Sequence, residues 1–241
     1  MRAGGQQLLE GARGRRAPDP ARQHRHANLA PVVLRQRPDQ PQRRERARAV
    51  LRAPKPHADD GAEHTIATTQ FQSTDARRCF PCWDEREYKA TFEPTLIVDA
   101  DHLAVTNTSE VAETTLSDGR RRIQYAPTMV MSTYLVAFVV GPLEATEPIH
   151  AGGVPIRVIH RPGQGDRTSF ALDVAAAALD WFADYYAIAY PSDKVDLIAI
   201  PDFAFGAMEN LGCVTFREEL LIIDPADAIQ PELQRAADVI N

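Results

Sequence analysis

"RTSFALDVAAAALDWFADYYAIAYP" (167–191) decides the fold, because the hydrophobic period changes there. Phe170, Val174, Ala177, Ala178, Trp181, Phe182 and Tyr185 recur at the spacing of one helix face. Thr168 or Ser169 can cap the start, and Pro191 forbids continuation. The aromatic members of that stripe are expected to pack in the core.

Upstream, the apolar residues alternate instead. "YKATFEPTLIV" (88–98) and "HLAVTNTSEVAETT" (102–115) read as strands, and "SDGRRRIQYAPT" (117–128) reads as a turn at Asp118-Gly119 followed by a strand. "VPIRVIHRPG" (154–163) is a further strand closed by Pro162-Gly163. The longest apolar run, "MVMSTYLVAFVVG" (129–141), is well short of the roughly 20 residues of a membrane span and is read as a buried strand. Downstream, "KVDLIAIPDF" (194–203) is a strand broken by Pro201, and "GCVTFREELLII" (212–223) is another extended run. "PELQRAADVIN" (231–241) opens a helix with Pro231 in its first turn.

The first quarter of the chain has a different texture. Residues 1–57 hold thirteen arginines and one lysine against four acids and no aromatic residue, a net +10. The whole chain is −6, so the remainder carries −16. A segment so poor in large apolar groups cannot offset its ordering entropy, and residues 1–64 are expected to be a disordered Arg-rich leader. Arginine runs such as "QRRERARAV" (42–50) suit phosphate neutralisation. No aromatic stacking platform accompanies them, so a nucleic-acid partner is not expected. The expected fold class is α+β: a leader over 1–64, a β-rich unit over 65–161, and a second unit over 162–241.

Three cysteines, Cys79, Cys82 and Cys213, are too few for a disulfide scaffold and fit a reducing compartment. Cys79 and Cys82 form a C-x-x-C without the second pair that a zinc ribbon requires, and are read as structural. The first residues, "MRAGGQQLLEGARGRR" (1–16), lack the apolar stretch of a signal peptide. A cytoplasmic protein with no membrane partner is expected.

The chemistry concentrates in "IPDFAFGAMENLGCVTFRE" (200–218). On spacing alone, Glu209 is a surface glutamate on an edge strand, where charge discourages aggregation. The residues themselves go further. This stretch resembles the signature of the aminopeptidase N family of zinc metallopeptidases, and Gly206-Ala207-Met208-Glu209-Asn210 matches that family's exopeptidase motif letter for letter. "TQFQSTDARRCFPCWDE" (69–85), "MSTYLVAFVVG" (131–141) and "YPSDKVDLIAIPDF" (190–203) resemble other family stretches, in the family's order.

The resemblance implies a partial antiparallel, saddle-like β domain followed by the start of a thermolysin-like catalytic domain. It also implies removal of single residues from peptides with a free N-terminus. The substrate backbone would lie along Gly206-Ala207 as an added strand. Glu209 would pair with the substrate α-ammonium, a contact of roughly 4 kcal/mol at 4 Å and a surface-like dielectric before desolvation. Gln70 and Gln72 would reach the same amine from the β domain, Met208 would line the first side-chain pocket, and Asn210 completes the set. Gln72 stands where many members carry a glutamate, so anchoring should lean more on Glu209. Arg86, in place of a usual proline, is read as a turn variation.

The family's zinc is held by a His-Glu-x-x-His helix and a later glutamate. The seven histidines here, His24, His26, His57, His64, His102, His150 and His160, make no such pair. The chain is therefore expected to be a fragment ending just before the metal-binding helix, without catalytic or metal residues and inactive alone. The alternative from another class is a non-catalytic module that recognises free peptide N-termini.

Overall fold

The computed structural model describes residues 50–56 and 63–241, with side chains from Thr65 onward. In chain order the strands of the first half are β1 (Val50–Pro56), β2 (Glu63–Thr69), β3 (Lys89–Ala90), β4 (Thr95–Val98), β5 (Leu103–Thr106), β6 (Glu110–Thr115), β7 (Arg121–Tyr125), β8 (Met131–Ser132) and β9 (Phe138–Gly141). The second half adds β10 (Glu144–Ala145), β11 (Ile149–Ala151), β12 (Val154–His160), α1 (Ser169–Tyr186), β13 (Val195–Ile200), β14 (Ala207–Met208), β15 (Cys213–Arg217) and α2 (Gln230–Ile240).

Among the described residues, two sheets build most of the first half. One is antiparallel in the order β1-β2-β9-β5, and the other runs β4-β7-β6. Leu96 and Ile123 of the smaller sheet face Ala104, Phe138 and Val140 of the larger across one core. Phe71 anchors that core edge-on against Phe80 at 5.8 Å and Phe138 at 6.1 Å. Cys79 and Cys82 are free thiols packed against it.

The second half forms a mixed sheet, β10-β12-β13-β15-β14, with β11 paired to β12. The β12-β13 and β13-β15 pairs are parallel, so the return from β12 to β13 requires a crossover, which α1 supplies. Ala171 and Ala175 of α1 settle on Ile156, Val158, Leu197 and Ala199.

Alternation then joins the two halves. Ile198 and Ile200 point away from the helix and meet Ile66, Val105, Val139, Met208 and Cys213 in a third core. The layers therefore stack as small sheet, large sheet, mixed sheet, helix. Every residue of β9 and β13 is buried, as expected of inner strands covered on both faces. Each buried Val, Leu, Ile or Phe contributes about 1.5–3 kcal/mol.

The α+β class expected from the sequence is what the chain adopts, but several local readings change. Val50–Pro56, placed in the disordered leader, is a strand paired with β2 from Val50↔Thr69 to Pro56↔Glu63. Pro54 and Pro56 sit two apart, so their missing donors fall along one edge, which an outermost strand tolerates. The rest of the expected leader, 1–49 and 57–62, lies outside the described residues. Residues 144–160, assigned to the first unit, supply strands of the mixed sheet. The apolar run 129–141 is two strands separated by a 3₁₀ turn at Thr133–Leu135, and Met129 and Val130 are exposed. Likewise 212–223 leaves the sheet after Arg217 through a 3₁₀ turn.

The aromatic stripe of α1 is the largest correction. Trp181 is 56% and Tyr185 67% exposed, and Phe182 and Tyr186 are exposed beside them. The helix packs through its alanines, whose small side chains let it approach the sheet closely. The rings stack on one another instead, Trp181 on Tyr185 at 4.8 Å and Phe182 on Tyr186 at 6.0 Å.

Candidate functional site

The motif 206–210 occupies the last strand of the mixed sheet and the turn after it. β14 pairs on one side only, with Ala207↔Phe216 and Met208↔Thr215, so among the described residues its outer edge offers unpaired backbone groups. Such an edge can accept another extended backbone as an added strand. Arg217 fixes the approach to it. Its main-chain N–H donates to Gly206 O, and its guanidinium donates to the carbonyls of Phe203 (3.0 Å) and Ala204 (2.9 Å). Gly206 lies against the C-terminal end of α2, where an added Cβ would stand 3.4 Å from Val239.

Neighbouring residues in this short segment face opposite ways, and that divides the sequence-predicted set. Met208 is 3% exposed and packs into the core between the two sheets. A side chain so placed is not an open pocket wall. Asn210 is 1% exposed and folds back on its own turn, with its N–H donating to Met208 O at 3.0 Å and its carbonyl accepting from Cys213 N–H at 2.9 Å. Its part is to shape the loop. Glu209 alone points outward, exposed and with no hydrogen bond or ion pair among the described residues.

From the β domain, Gln70 is 8% exposed, and its Oε1 is buried without a hydrogen-bond partner among the described residues. A buried acceptor left unmatched is costly, and Thr68 Oγ1, Thr106 Oγ1 and Thr215 Oγ1 are buried in the same way. Gln72 is exposed two residues on.

A hydrogen-bond relay joins the two groups of residues. Phe138 N–H donates to Thr69 Oγ1 at 3.1 Å, and Ala137 N–H donates to Asn107 Oδ1 at 2.9 Å. The Asn107 Nδ2 amide then donates to the carbonyls of Leu135 and Leu211, both at 2.8 Å. The neighbour of Gln70 and the segment following Glu209 are thus tied to one scaffold.

Sequence reasoning missed Asn107, Tyr190, Lys194 and Arg217. Lys194 carried a signal, a lone cation leading into an apolar strand two residues before Asp196. Asn107 carried none. Among the described residues no group of three or more His, Cys, Asp or Glu side chains comes together to hold a metal. The ligand set for the zinc implied by the resemblance is not formed by them. No described helix is long and apolar enough to cross a membrane.

The Peptidase M1 N-terminal domain matches residues 53–135, and the Peptidase family M1 domain matches residues 170–241. The chain is 45% identical over 181 residues to Aminopeptidase M1 of Arabidopsis thaliana, covering 75% of this chain and 20% of the relative. It is 44% identical over 182 residues to the puromycin-sensitive aminopeptidase of Caenorhabditis elegans, covering 75% and 19%. Identity to the glutamyl aminopeptidase of Mus musculus is 38% over 184 residues, covering 76% and 20%. The chain therefore spans about one-fifth of the length of these relatives.

Proposed function

The chain belongs to peptidase family M1, and from that premise we propose that it carries the substrate-terminus grip of a zinc-dependent aminopeptidase, a hydrolase that removes N-terminal residues from peptides. One observation supports this most. Glu209 is an exposed carboxylate without a partner among the described residues, placed just after an edge strand that is paired on one side only.

A peptide laid along Gly206-Ala207 completes the edge with main-chain hydrogen bonds, and its α-ammonium meets Glu209. Gln70 and the exposed Gln72 approach the same ammonium from the β domain, Gln72 as a neutral acceptor. An internal peptide bond has no ammonium to offer, so a fixed charge at this point counts residues from the chain's end. The loop shaped by Asn210 holds that charge, and Met208 supports it from the core. Zinc belongs to the complete enzyme, where it supplies the Lewis acid for amide hydrolysis. With no ligand set among the described residues, the part assigned to this chain is to bind the substrate's end.

That last point favours a second reading, a module that recognises free peptide N-termini without catalysis. Two measurements divide the readings. The purified chain should bind a short peptide with a free N-terminus more tightly than its N-acetylated twin, and it should not hydrolyse aminoacyl arylamides. Equal affinity for the two peptides would defeat the terminal-amine site in both readings. Hydrolysis by a pure, chelator-treated preparation would defeat the division of labour between grip and metal. If the gene encodes a His-Glu-x-x-His stretch in frame after Asn241, the enzymatic reading stands. If it does not, the binding module is the function of this chain.

A further inference from the structure

Two buried polar side chains outside the motif hold the segment that immediately follows Glu209. Asn107, at the end of β5, is fully buried and uses its whole amide: Oδ1 accepts from Ala137 N–H, and Nδ2 donates to Leu135 O and Leu211 O. Lys194, in the turn before β13, is buried as well. Its ammonium donates to Thr106 O (2.7 Å), Gly212 O (2.8 Å) and Asp196 Oδ2 (2.7 Å). An ammonium has three protons, and all three are used.

The charge is balanced locally. Asp196, also buried, takes Arg157 through Nε–Oδ1 at 2.6 Å and Nη2–Oδ2 at 3.2 Å. Gly212 is held from other directions too. Its N–H donates to the Tyr190 hydroxyl at 3.0 Å, and at φ +71° it lies so close to the Asn107 carbonyl that no Cβ fits.

We propose that Asn107 and Lys194 are positioning residues for the terminal-amine site: by clamping the carbonyls of Leu211 and Gly212 to the end of β5, they set where Glu209 stands relative to Gln70. Neither residue touches the substrate. The first half of the chain thus acts on substrate selection through the loop as well as through its own glutamines. The inference rests on the terminal-amine reading of Glu209.

The test uses the full 241-residue chain, a short peptide carrying a fluorophore at its C-terminus, and the N-acetyl twin of that peptide. The readout is the ratio of the two affinities, measured well below the melting temperature of each protein. A purely structural role for the clamp lowers stability and leaves this ratio unchanged in the folded fraction. Asn107→Asp places an acceptor against two carbonyls, and Lys194→Met removes three donors. Each should reduce the preference for the free amine about tenfold, the equivalent of about 1.4 kcal/mol. A folded variant with an unchanged preference overturns the proposal.

Should both variants fail to fold, hydrogen exchange on the unmodified chain decides. The amides of Gly212 and Cys213 should exchange in the same cooperative unit as that of Ala137, and independent, much faster opening of the loop overturns the clamp. If the unmodified chain shows no amine preference at all, the terminal-amine reading fails, and the exchange data still judge the clamp separately.

Discussion

The side-chain amide of Asn107 and the main-chain carbonyl of Leu211 meet at 2.8 Å across 104 residues of sequence. This bond, with its partners at Leu135 and Ala137, welds the end of an antiparallel strand to the loop of a mixed sheet. A buried hydrogen bond adds only about 0.5–1.5 kcal/mol net, but orphaning its partner costs about 1–3 kcal/mol. The junction is therefore more sensitive to loss than its energy of formation suggests.

The same junction predicts a contrast between two glycines. Gly212 (φ +71°) faces the Asn107 carbonyl and Ser192 Oγ, whereas Gly119 (φ +85°) has nothing within 4 Å of an added Cβ. Gly119→Ala should cost about 1 kcal/mol, the conformational term alone. Gly212→Ala carries about 1–3 kcal/mol of backbone strain plus the overlap, and should lower the urea midpoint clearly more. Equal midpoints would show that the loop moves away from Asn107 freely.

Glu209→Gln should leave thermal stability within about 0.5 kcal/mol, as for an exposed side chain without partners. Affinity for a free-amine peptide should fall by about 1.5–3 kcal/mol, the worth of a hydrogen bond to a charged group. Affinity for the N-acetyl twin should not change. Calorimetric titration of both peptides checks this, and a parallel fall for the two would mean that Glu209 supports the loop without meeting the amine.

Gln72→Glu places a second carboxylate on an exposed position of the β-domain side. Exposed ion pairs are worth about 0–1 kcal/mol, so binding of the free-amine peptide should tighten a few-fold. The gain should fade as salt is raised, because exposed charges are screened. Unchanged binding at low salt would place Gln72 out of reach of the amine.

Alkaline pH should destabilise the fold. Burial pushes the Cys213 thiol up to about 12, and burial also raises Tyr125 above its ordinary range. In the unfolded chain a thiol titrates near 8.5. Between those values the folded state holds a proton that the unfolded state has lost, so stability falls as pH rises. The slope from Cys213 is at most about 1.4 kcal/mol per pH unit. Urea melts from pH 8 to 11 should show the decline, and Cys213→Ala should flatten it. A decline of equal steepness in that variant would assign the effect to other groups.

The two tryptophans, Trp83 at 68% and Trp181 at 56% exposure, should give a native emission close to that of free indole, with little red shift on unfolding. A blue-shifted emission that depends on protein concentration would show that copies of the chain cover the stacked aromatic face of α1.

Much of the fold was legible because it rests on local periods. The helix was readable because its spacing is local, and α1 runs from Ser169 to Tyr186. Thr168 at its start makes no side-chain cap bond, however, and left-handed Ala187 ends it before Pro191 is reached. The turn at Gly119 and the strand after it were equally local. The same reasoning misjudged the aromatic stripe, since spacing shows which residues share a face but not which face a sheet covers. Ala171 and Ala175 took the sheet, and the larger rings were left outside. It also misjudged the strand at Val50, whose own composition argues against order and whose support comes from β2.

At the site, the sequence by itself determined that a small-residue edge, one carboxylate and one amide occur together at 206–210, because identity and order are properties of the chain. Only the tertiary structure decided that Glu209 faces outward while Met208 and Asn210 are buried, and that Asn107 and Lys194 hold the loop. Facing is set by what packs on each side of a strand. The groups that pack here come from β5, β9 and the start of β13, outside the motif, so no pattern within the motif could reveal them.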